Sequence, residues 1–251
     1  METMITLTDL CVGYGESVIV KDINLHIAQG SIVSLIGANG SGKSTLLKTL
    51  TGGLKPIAGQ VLLEGEPVET LGAKELSKKV AILMTNRFQS GWMTSREIVE
   101  LGRYPYTNMI GKLSDADNRA VETTMELLNI AGLSHKLFNK LSDGQRQLVM
   151  LARAICQEPK VLIMDEPTSF LDINYKLELM KIVKKLSEQG ITIVMSLHEL
   201  ELAREISDRI VCIEGGRVFQ TGTPSEIFSK KIIGEIFHIQ DFGVLKNYLF
   251  S

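Results

Sequence analysis

The sequence has few cysteines and prolines, one tryptophan and no block of like charges. It contains 3 Cys, 6 Pro and 1 Trp among 251 residues, and 27 Lys plus Arg nearly balance 29 Asp plus Glu. Cys11, Cys156 and Cys212 lie in apolar runs at no disulfide-like or metal-like spacing, which is typical of buried thiols in a reducing compartment. The net charge of −2 argues against nucleic acid as a partner.

Long hydrophobic runs are also missing. The longest, such as Val161 to Met164 and Ile191 to Leu197, are far shorter than the roughly 20 residues of a membrane-spanning helix. A secretion signal would show a basic segment followed by an apolar stretch, and the start of this sequence shows neither. These absences predict a protein that does not itself cross a membrane and stays in the cytoplasm.

Short apolar runs that alternate with helical patterns are what the sequence does have. Ser31 to Ile36 and the two runs named above read as buried strands, each followed by a turn and a helical pattern. This alternation predicts an α/β fold with a mixed, mainly parallel sheet and helices on both faces. Short alternating strands near the start add an antiparallel β subdomain. As boundaries within one domain we predict a core with the β subdomain at 1–90 and 158–230, an inserted helical subdomain at 91–157, and a short C-terminal tail at 231–251.

A glycine-rich loop lies between the first buried strand and a helix. Residues 37–44, Gly-Ala-Asn-Gly-Ser-Gly-Lys-Ser, satisfy the phosphate-loop pattern in the context that it requires, which predicts a phosphate-loop NTPase core. Glycines let backbone N–H groups approach phosphates, Lys43 would bridge the β- and γ-phosphates of ATP, and Ser44 would offer its hydroxyl to Mg²⁺. The residues expected to contact nucleotide here are Gly37, Asn39, Gly40, Ser41, Gly42, Lys43, Ser44 and Thr45.

Two acids and a histidine follow other buried strands. Asp165 and Glu166 end one strand, at the sheet edge where open α/β sheets bind ligands, and His198 ends another. We expect Asp165 to hold Mg²⁺, Glu166 to polarise the attacking water as a general base, and His198 to lie near the γ-phosphate.

Residues 141–147, Leu-Ser-Asp-Gly-Gln-Arg-Gln, precede a further helix, and Ser142 and Gln145 have capping-box spacing. The segment closely resembles the signature sequence of ABC ATPases. That resemblance implies that Ser142, Gly144 and Gln145 bind the ATP held by the opposite subunit. Two chains would then sandwich two ATP molecules.

Other parts of the chain match the same family in order, over about residues 5–225. Tyr14 resembles the aromatic residue that stacks on adenine. Residues 167–172, with Asp172 as the usual acid, resemble the loop that communicates across the dimer, and His198 matches the family's switch histidine.

The chain departs from the family's pattern after the strand at 80–84. There the family has a Gln that contacts Mg²⁺ and relays to the membrane subunit, whereas this chain has Thr85 and Asn86, with Gln89 further on. Three explanations remain open: Asn86 or Gln89 takes the place of the family's Gln, a water molecule bridges the gap to Mg²⁺, or coupling to the membrane subunit differs. Ala38 and Asp143 are milder variations on the usual Pro and Gly.

Residues 101–106, Leu-Gly-Arg-Tyr-Pro-Tyr, together with 142–145 and 197–200, look like the importer branch that serves iron-siderophore, haem and cobalamin uptake. The resemblance implies integral membrane permease subunits as partners, a substrate-binding protein reached through the permease, and a peripheral position on the inner face of the cell membrane. We expect the permease to dock on residues 85–106. Core packing is the other interpretation of four side chains in that segment: Trp92, Met93, Tyr104 and Tyr106.

Two other classes share part of this pattern. One is an ABC ATPase without a permease, serving cluster assembly, translation or repair. Members of the translation type usually carry two ATPase domains and members of the repair type carry long coiled-coil inserts, and this sequence has neither. A phosphate-loop GTPase or kinase acting alone would leave residues 141–147 unexplained, and no Asn-Lys-x-Asp motif is present.

Overall fold

The computed structural model describes residues 2–84, 90–108 and 111–239. The described strands are β1 (Thr3–Tyr14), β2 (Ser17–Ala28), β3 (Ile32–Ile36), β4 (Ala58–Leu63), β5 (Glu66–Pro67), β6 (Val80–Leu83), β7 (Val161–Asp165), β8 (Thr192–Ser196), β9 (Arg209–Glu214) and β10 (Arg217–Gly222). The described helices are α1 (Lys43–Leu50), α2 (Ala73–Lys79), α3 (Ser95–Glu100), α4 (Asp115–Leu127), α5 (Asp143–Cys156), α6 (Ile173–Glu188), α7 (Leu200–Ile206), α8 (Pro224–Ile227) and α9 (Lys230–Phe237). Short 3₁₀ helices at 68–70, 101–106, 131–133 and 138–140 complete the described elements.

The described strands form one sheet in the order β5-β4-β1-β2-β10-β9-β3-β8-β7-β6. The block β9-β3-β8-β7-β6 is parallel throughout, whereas β5, β4, β1 and β2 pair antiparallel. Strand β10 joins the two blocks, because it pairs antiparallel with β9 and meets β2 in parallel at Arg217 and Lys21. The predicted parallel core and antiparallel β subdomain are both confirmed.

The parallel strands are buried on both faces, as their continuous apolar runs predict. Along β7, Val161 and Ile163 face a core that includes Leu46 and Leu47 of α1, whereas Leu162 and Met164 face the core on the opposite side. That second core contains much of α5 and α6 and the buried residues of the helical insert. Helices therefore cover the sheet on both faces, and the carboxyl ends of the strands stay free to carry a site.

A buried arginine holds the 3₁₀ turn at 101–106 in place within the helical subdomain. Arg103, 5% exposed, donates from Nε to Asp117 (2.9 Å) and from Nη1 to Glu158 (2.7 Å) and to the carbonyl oxygen of Cys156 (2.8 Å). Its guanidinium also lies 3.9 Å from the ring centroid of Tyr106. These contacts fix the 3₁₀ turn at 101–106 against the end of α5.

The cysteines agree in part with the sequence prediction. Cys156 and Cys212 are buried, and burial raises the pKa of Cys156 to about 11 and that of Cys212 to about 12. Cys11 is only half-buried. All three are free thiols.

The predicted C-terminal tail is partly structured. Its first residues form α9, which packs against β9 and whose Ile233 and Ile236 are fully buried. Within the described ranges, no helix combines the length and apolar character needed to cross a membrane.

Candidate functional site

The phosphate loop connects the fully buried strand β3 to α1, as its sequence predicts. Gly42 adopts a left-handed φ of 104°, and a Cβ atom there would lie 2.2 Å from Cγ2 of Val20. A residue other than glycine would therefore force the loop away from β2. Ser41 Oγ is buried, and none of the described residues offers it a hydrogen bond.

Lys43 is folded into this loop. Its side chain is 5% exposed, and Nζ donates to the carbonyl oxygens of Gly37 (2.8 Å) and Ala38 (3.0 Å). Burial lowers the pKa of Lys43, and the nearby carboxylates of Glu166 and Asp165 oppose that shift. The ammonium group is thus held at the centre of the loop, facing the acids that end β7.

The ends of β7 and β8 are tied together by Ser196, a residue that the sequence interpretation missed. Asp165 and Ser196 are paired in the parallel register, and Ser196 Oγ donates to Asp165 Oδ1 at 2.7 Å. Ser196 Oγ also accepts a hydrogen bond from the backbone N–H of Glu166 at 2.8 Å. Glu166 has a left-handed φ of 49°, unusual for a residue with a side chain. Ser196 therefore sets the backbone from which both acids project.

Glu166 and His198 form a direct pair. His198 Nε2 contacts Glu166 Oε1, and the second carboxylate oxygen of Glu166 accepts from Ser169 Oγ at 3.1 Å. Both side chains are about one-third exposed, at 33% for Glu166 and 37% for His198. The pair is therefore accessible to a small molecule.

A cavity of about 400 Å³ brings the phosphate loop and this pair together. Its lining residues are Ile19, Asn39, Gly40, Gly42, Lys43, Ser44, Thr45, Glu166 and His198. The predicted residues Gly37, Ser41 and Asp165 do not line it. Ile19 was not predicted, because an apolar residue in an alternating strand carries no local signal of a ligand.

Tyr14 lies beside the loop, at the end of β1. Its ring is 50% exposed, and Lys48 Nζ donates to its hydroxyl at 3.4 Å. Hydrogen bonds from Thr45 and Lys48 lower the pKa of Tyr14. Its hydroxyl is thus tethered to Lys48 in the last turn of α1 while the residue stays half-exposed, and its stacking role stays a prediction.

The segment 141–147 starts α5 in the way its capping-box spacing predicts. Gln145 N donates to Ser142 Oγ (3.3 Å), and Ser142 N donates to Gln145 Oε1 (3.2 Å). Gly144 packs against Tyr175, so a Cβ atom at Gly144 would lie 2.4 Å from a carbon of that ring. Ser142, Gly144 and Gln145 do not line the cavity of their own chain.

The same helix contacts the loop that follows Glu166. Gln147 Nε2 donates to the carbonyl oxygen of Pro167 at 2.9 Å. Asp172 ends that loop and caps α6, since its carboxylate accepts from Tyr175 N at 3.0 Å.

The four candidate docking residues divide into two pairs. Trp92 is 91% exposed and Tyr104 is 73% exposed. Met93 packs against the core, and Tyr106 donates its hydroxyl to the carbonyl oxygen of Gln157 at 3.0 Å. Core packing therefore explains Met93 and Tyr106 but not Trp92 and Tyr104. Thr85, Asn86 and Gln89 lie outside the described residues.

The loop, the acids and the parallel sheet define a phosphate-loop ATPase cassette. The family model described as "ABC transporter" matches residues 20–169. The chain belongs to the ABC transporter family, and it is the ATP-binding, ATP-hydrolysing subunit of such a transporter.

Relatives and solved structures agree with this assignment. The chain is 42% identical to the uncharacterized ABC transporter ATP-binding protein MJ0873 of Methanocaldococcus jannaschii, covering 95% of this chain and 82% of that protein. It is 37% identical to the iron(3+)-hydroxamate import ATP-binding protein FhuC of Bacillus subtilis, covering 92% and 86%. The dimeric post-hydrolysis structure of the ATP-binding cassette MJ0796 with ADP and Pi matches with a TM-score of 0.77, at 28% identity, covering 88% of this chain and 99% of that one.

Proposed function

We propose that this ATPase powers an importer of metal chelates of the iron-siderophore, haem or cobalamin type. The observation that carries the proposal is the cavity that joins Lys43 and Ser44 to Glu166 and His198. The cargo class is supported by the resemblance of residues 101–106 and by the similarity to an iron-hydroxamate import subunit. These similarities favour a transporter subunit over an ABC ATPase that has no permease.

The donor set fits Mg²⁺-ATP. Ser44 and Asp165 offer the hydroxyl and carboxylate oxygens that Mg²⁺ prefers, and the buried Ser41 hydroxyl lies in a loop suited to phosphate. Bound Mg²⁺ would neutralise phosphate charge. Lys43 would exchange its bonds to the carbonyls of Gly37 and Ala38 for phosphate oxygens, while Tyr14 stacks on adenine.

Glu166 and His198 would carry out the hydrolytic step. Glu166 accepts a proton from the attacking water and orients that water in line with the γ-phosphoryl group. His198, now in contact with Glu166, donates a hydrogen bond to the charge that develops on the γ-phosphate. Ser142, Gly144 and Gln145 of a second copy complete the site, so that two chains enclose two ATP molecules.

The chain would act at the inner face of the cell membrane, held there by permease subunits. Through the permease it would respond to a substrate-binding protein. The test is reconstitution in lipid vesicles with the polytopic permease encoded by a neighbouring gene. We expect the chain to co-purify with that permease, and we expect its ATPase rate to rise when a cargo-loaded binding protein is added. ATPase activity that no permease binds or stimulates would overturn the proposed function.

Trp92 and Tyr104 provide a sharper test of permease docking. Their exposed rings are the kind of aromatic anchor that dominates interface energies, so we expect the Trp92→Ala/Tyr104→Ala double variant to lose permease-stimulated ATPase by about tenfold or more. ATP hydrolysis by the isolated chain should stay within about twofold of the original, since neither side chain lines the cavity.

The matched control is Ile57→Ala, which removes an exposed apolar side chain elsewhere on the surface. Stimulation and co-purification should be unchanged in this variant. Equal losses in the control and the double variant, or full stimulation of the double variant, would remove these two residues from the docking surface.

A further inference from the structure

Glu199, the residue after His198, makes two charge-assisted contacts. Its Oε2 accepts from Thr168 Oγ1 at 2.7 Å, and its Oε1 accepts from Lys176 Nζ at 2.7 Å. Thr168 lies two residues after Glu166, and Lys176 lies in the first turns of α6. The carboxylate of Glu199 thus joins the segment of His198 to the loop that follows Glu166.

The three groups are shielded from solvent to different degrees. Thr168 is 1% exposed, whereas the side chains of Lys176 and Glu199 are 23% and 30% exposed. Burial raises the pKa of Glu199, but hydrogen bonds from Lys176 and Thr168 outweigh that effect and hold the pKa below its ordinary value. The carboxylate is therefore charged at neutral pH and accepts both bonds.

Glu199 is the last of three described residues at or after the end of β8 that contact the end of β7 and the loop after it. Ser196 holds Asp165 and the backbone of Glu166, and His198 contacts the Glu166 side chain. Glu199 then holds Thr168. Ser196 and Glu199 therefore fasten the backbone on either side of His198.

The backbone of Glu166 adopts a strained conformation that its surroundings must stabilise. A side-chain-bearing residue at φ 49° is strained by roughly 1 kcal/mol or more, so it persists only where its surroundings hold it. Ser169 N also donates to Glu166 O (3.1 Å), which closes the turn locally, and both Pro167 and Thr168 are buried within it.

We propose that Glu199, charged and held by Lys176, is a positioning residue that sets His198 against Glu166 by anchoring Thr168. The inference rests on the roles proposed above for Glu166 and His198. Glu199 itself does not line the cavity and acts through the residues on either side of it.

The effect should be on rate rather than on folding. A partly exposed ion pair contributes about 0–1 kcal/mol to stability, so losing it should leave the protein folded. A displacement of about 1 Å at a catalytic group can reduce turnover up to about a hundredfold. ATP binding should survive, because Lys43 and the glycine loop are untouched.

The experiment compares Glu199→Gln and Thr168→Val with two matched controls, Thr168→Ser and Glu205→Gln. Thr168→Ser keeps the hydroxyl that Thr168→Val removes, and Glu205 is an exposed acid on α7. Steady-state ATPase of each full-length chain with its permease gives kcat and the KM for ATP, and thermal unfolding checks the fold. The charge-swapped Lys176→Glu/Glu199→Lys variant tests whether the pair itself matters.

We expect Glu199→Gln and Thr168→Val to lower kcat by about tenfold with KM within about twofold, while both controls match the original chain. The charge swap should recover at least part of the loss seen in Glu199→Gln. A kcat within about twofold of the original in either test variant would overturn the inference, as would a tenfold rise in KM alone. If Glu199→Gln fails to fold, the comparison of Thr168→Val with Thr168→Ser tests the inference on its own.

The outcomes also separate this inference from the proposed function. If the original chain shows no permease-linked ATPase, the proposed function fails. If the original chain is active and Glu166→Gln is inactive while Glu199→Gln is fully active, the function stands and only the positioning role of Glu199 is lost.

Discussion

Replacing Glu166 by Gln is expected to reduce ATP turnover by about a thousandfold, the scale of a lost general base. The amide keeps the shape of the side chain but cannot accept the proton of the attacking water. Lys43 and the glycine loop are unchanged, so ATP should still bind. The ATP-bound variant should then accumulate as a dimer, because hydrolysis no longer opens the sandwich.

Three measurements check this expectation: ATPase rate, affinity for a fluorescent ATP analogue, and mass by light scattering with and without ATP. The matched control is Glu188→Gln, an exposed acid at the end of α6, which should behave like the original chain. Retained turnover would reject Glu166 as the base. A variant that stayed monomeric with ATP, even with its permease present, would reject the sandwich.

Gly144→Ala is expected to reduce ATPase activity by at least about a hundredfold, comparable to the loss of a transition-state contact. Two effects act together. Within the chain, the new Cβ would lie 2.4 Å from a ring carbon of Tyr175, so the start of α5 must shift. Between chains, a methyl group would stand where the proposed sandwich brings the partner's γ-phosphate closest to the backbone. ATP binding to the isolated chain should be unaffected, because Gly144 is outside its cavity.

The double variant Gly144→Ala/Tyr175→Ala separates these two effects, because it removes the ring that the methyl group would strike. If the sandwich is correct, activity stays low even though the intrachain clash is relieved. Tyr175→Ala alone serves as the control and should retain most activity. Full recovery in the double variant would mean that Gly144 is needed only for packing inside one chain.

Local patterns account for the parts of the fold and site that could be predicted from the sequence. The phosphate loop was predictable because strand, glycines and helix start follow one another within a few residues. The cap of α5 by Ser142 likewise depends on neighbouring residues.

The features that were missed depend on pairing between distant segments. Ser196 acts on Asp165 only because β7 and β8 align in one register, and a serine at a strand end has no pattern of its own. The contact of Glu199 with Thr168 and Lys176 joins three segments in the same way. The residues proposed to bind phosphate could be predicted from local sequence, whereas the residues that hold them in place could be identified only from the fold.

Helix α9 limits where this chain can be shortened. The sequence predicts only a short C-terminal tail from residue 231, yet Ile233 and Ile236 of α9 are fully buried in the core. Each fully buried isoleucine contributes about 1.5–3 kcal/mol, and domains are stable by only about 5–15 kcal/mol in total. Cutting before α9 would leave a cavity against β9, so this helix helps to keep the nucleotide cassette folded.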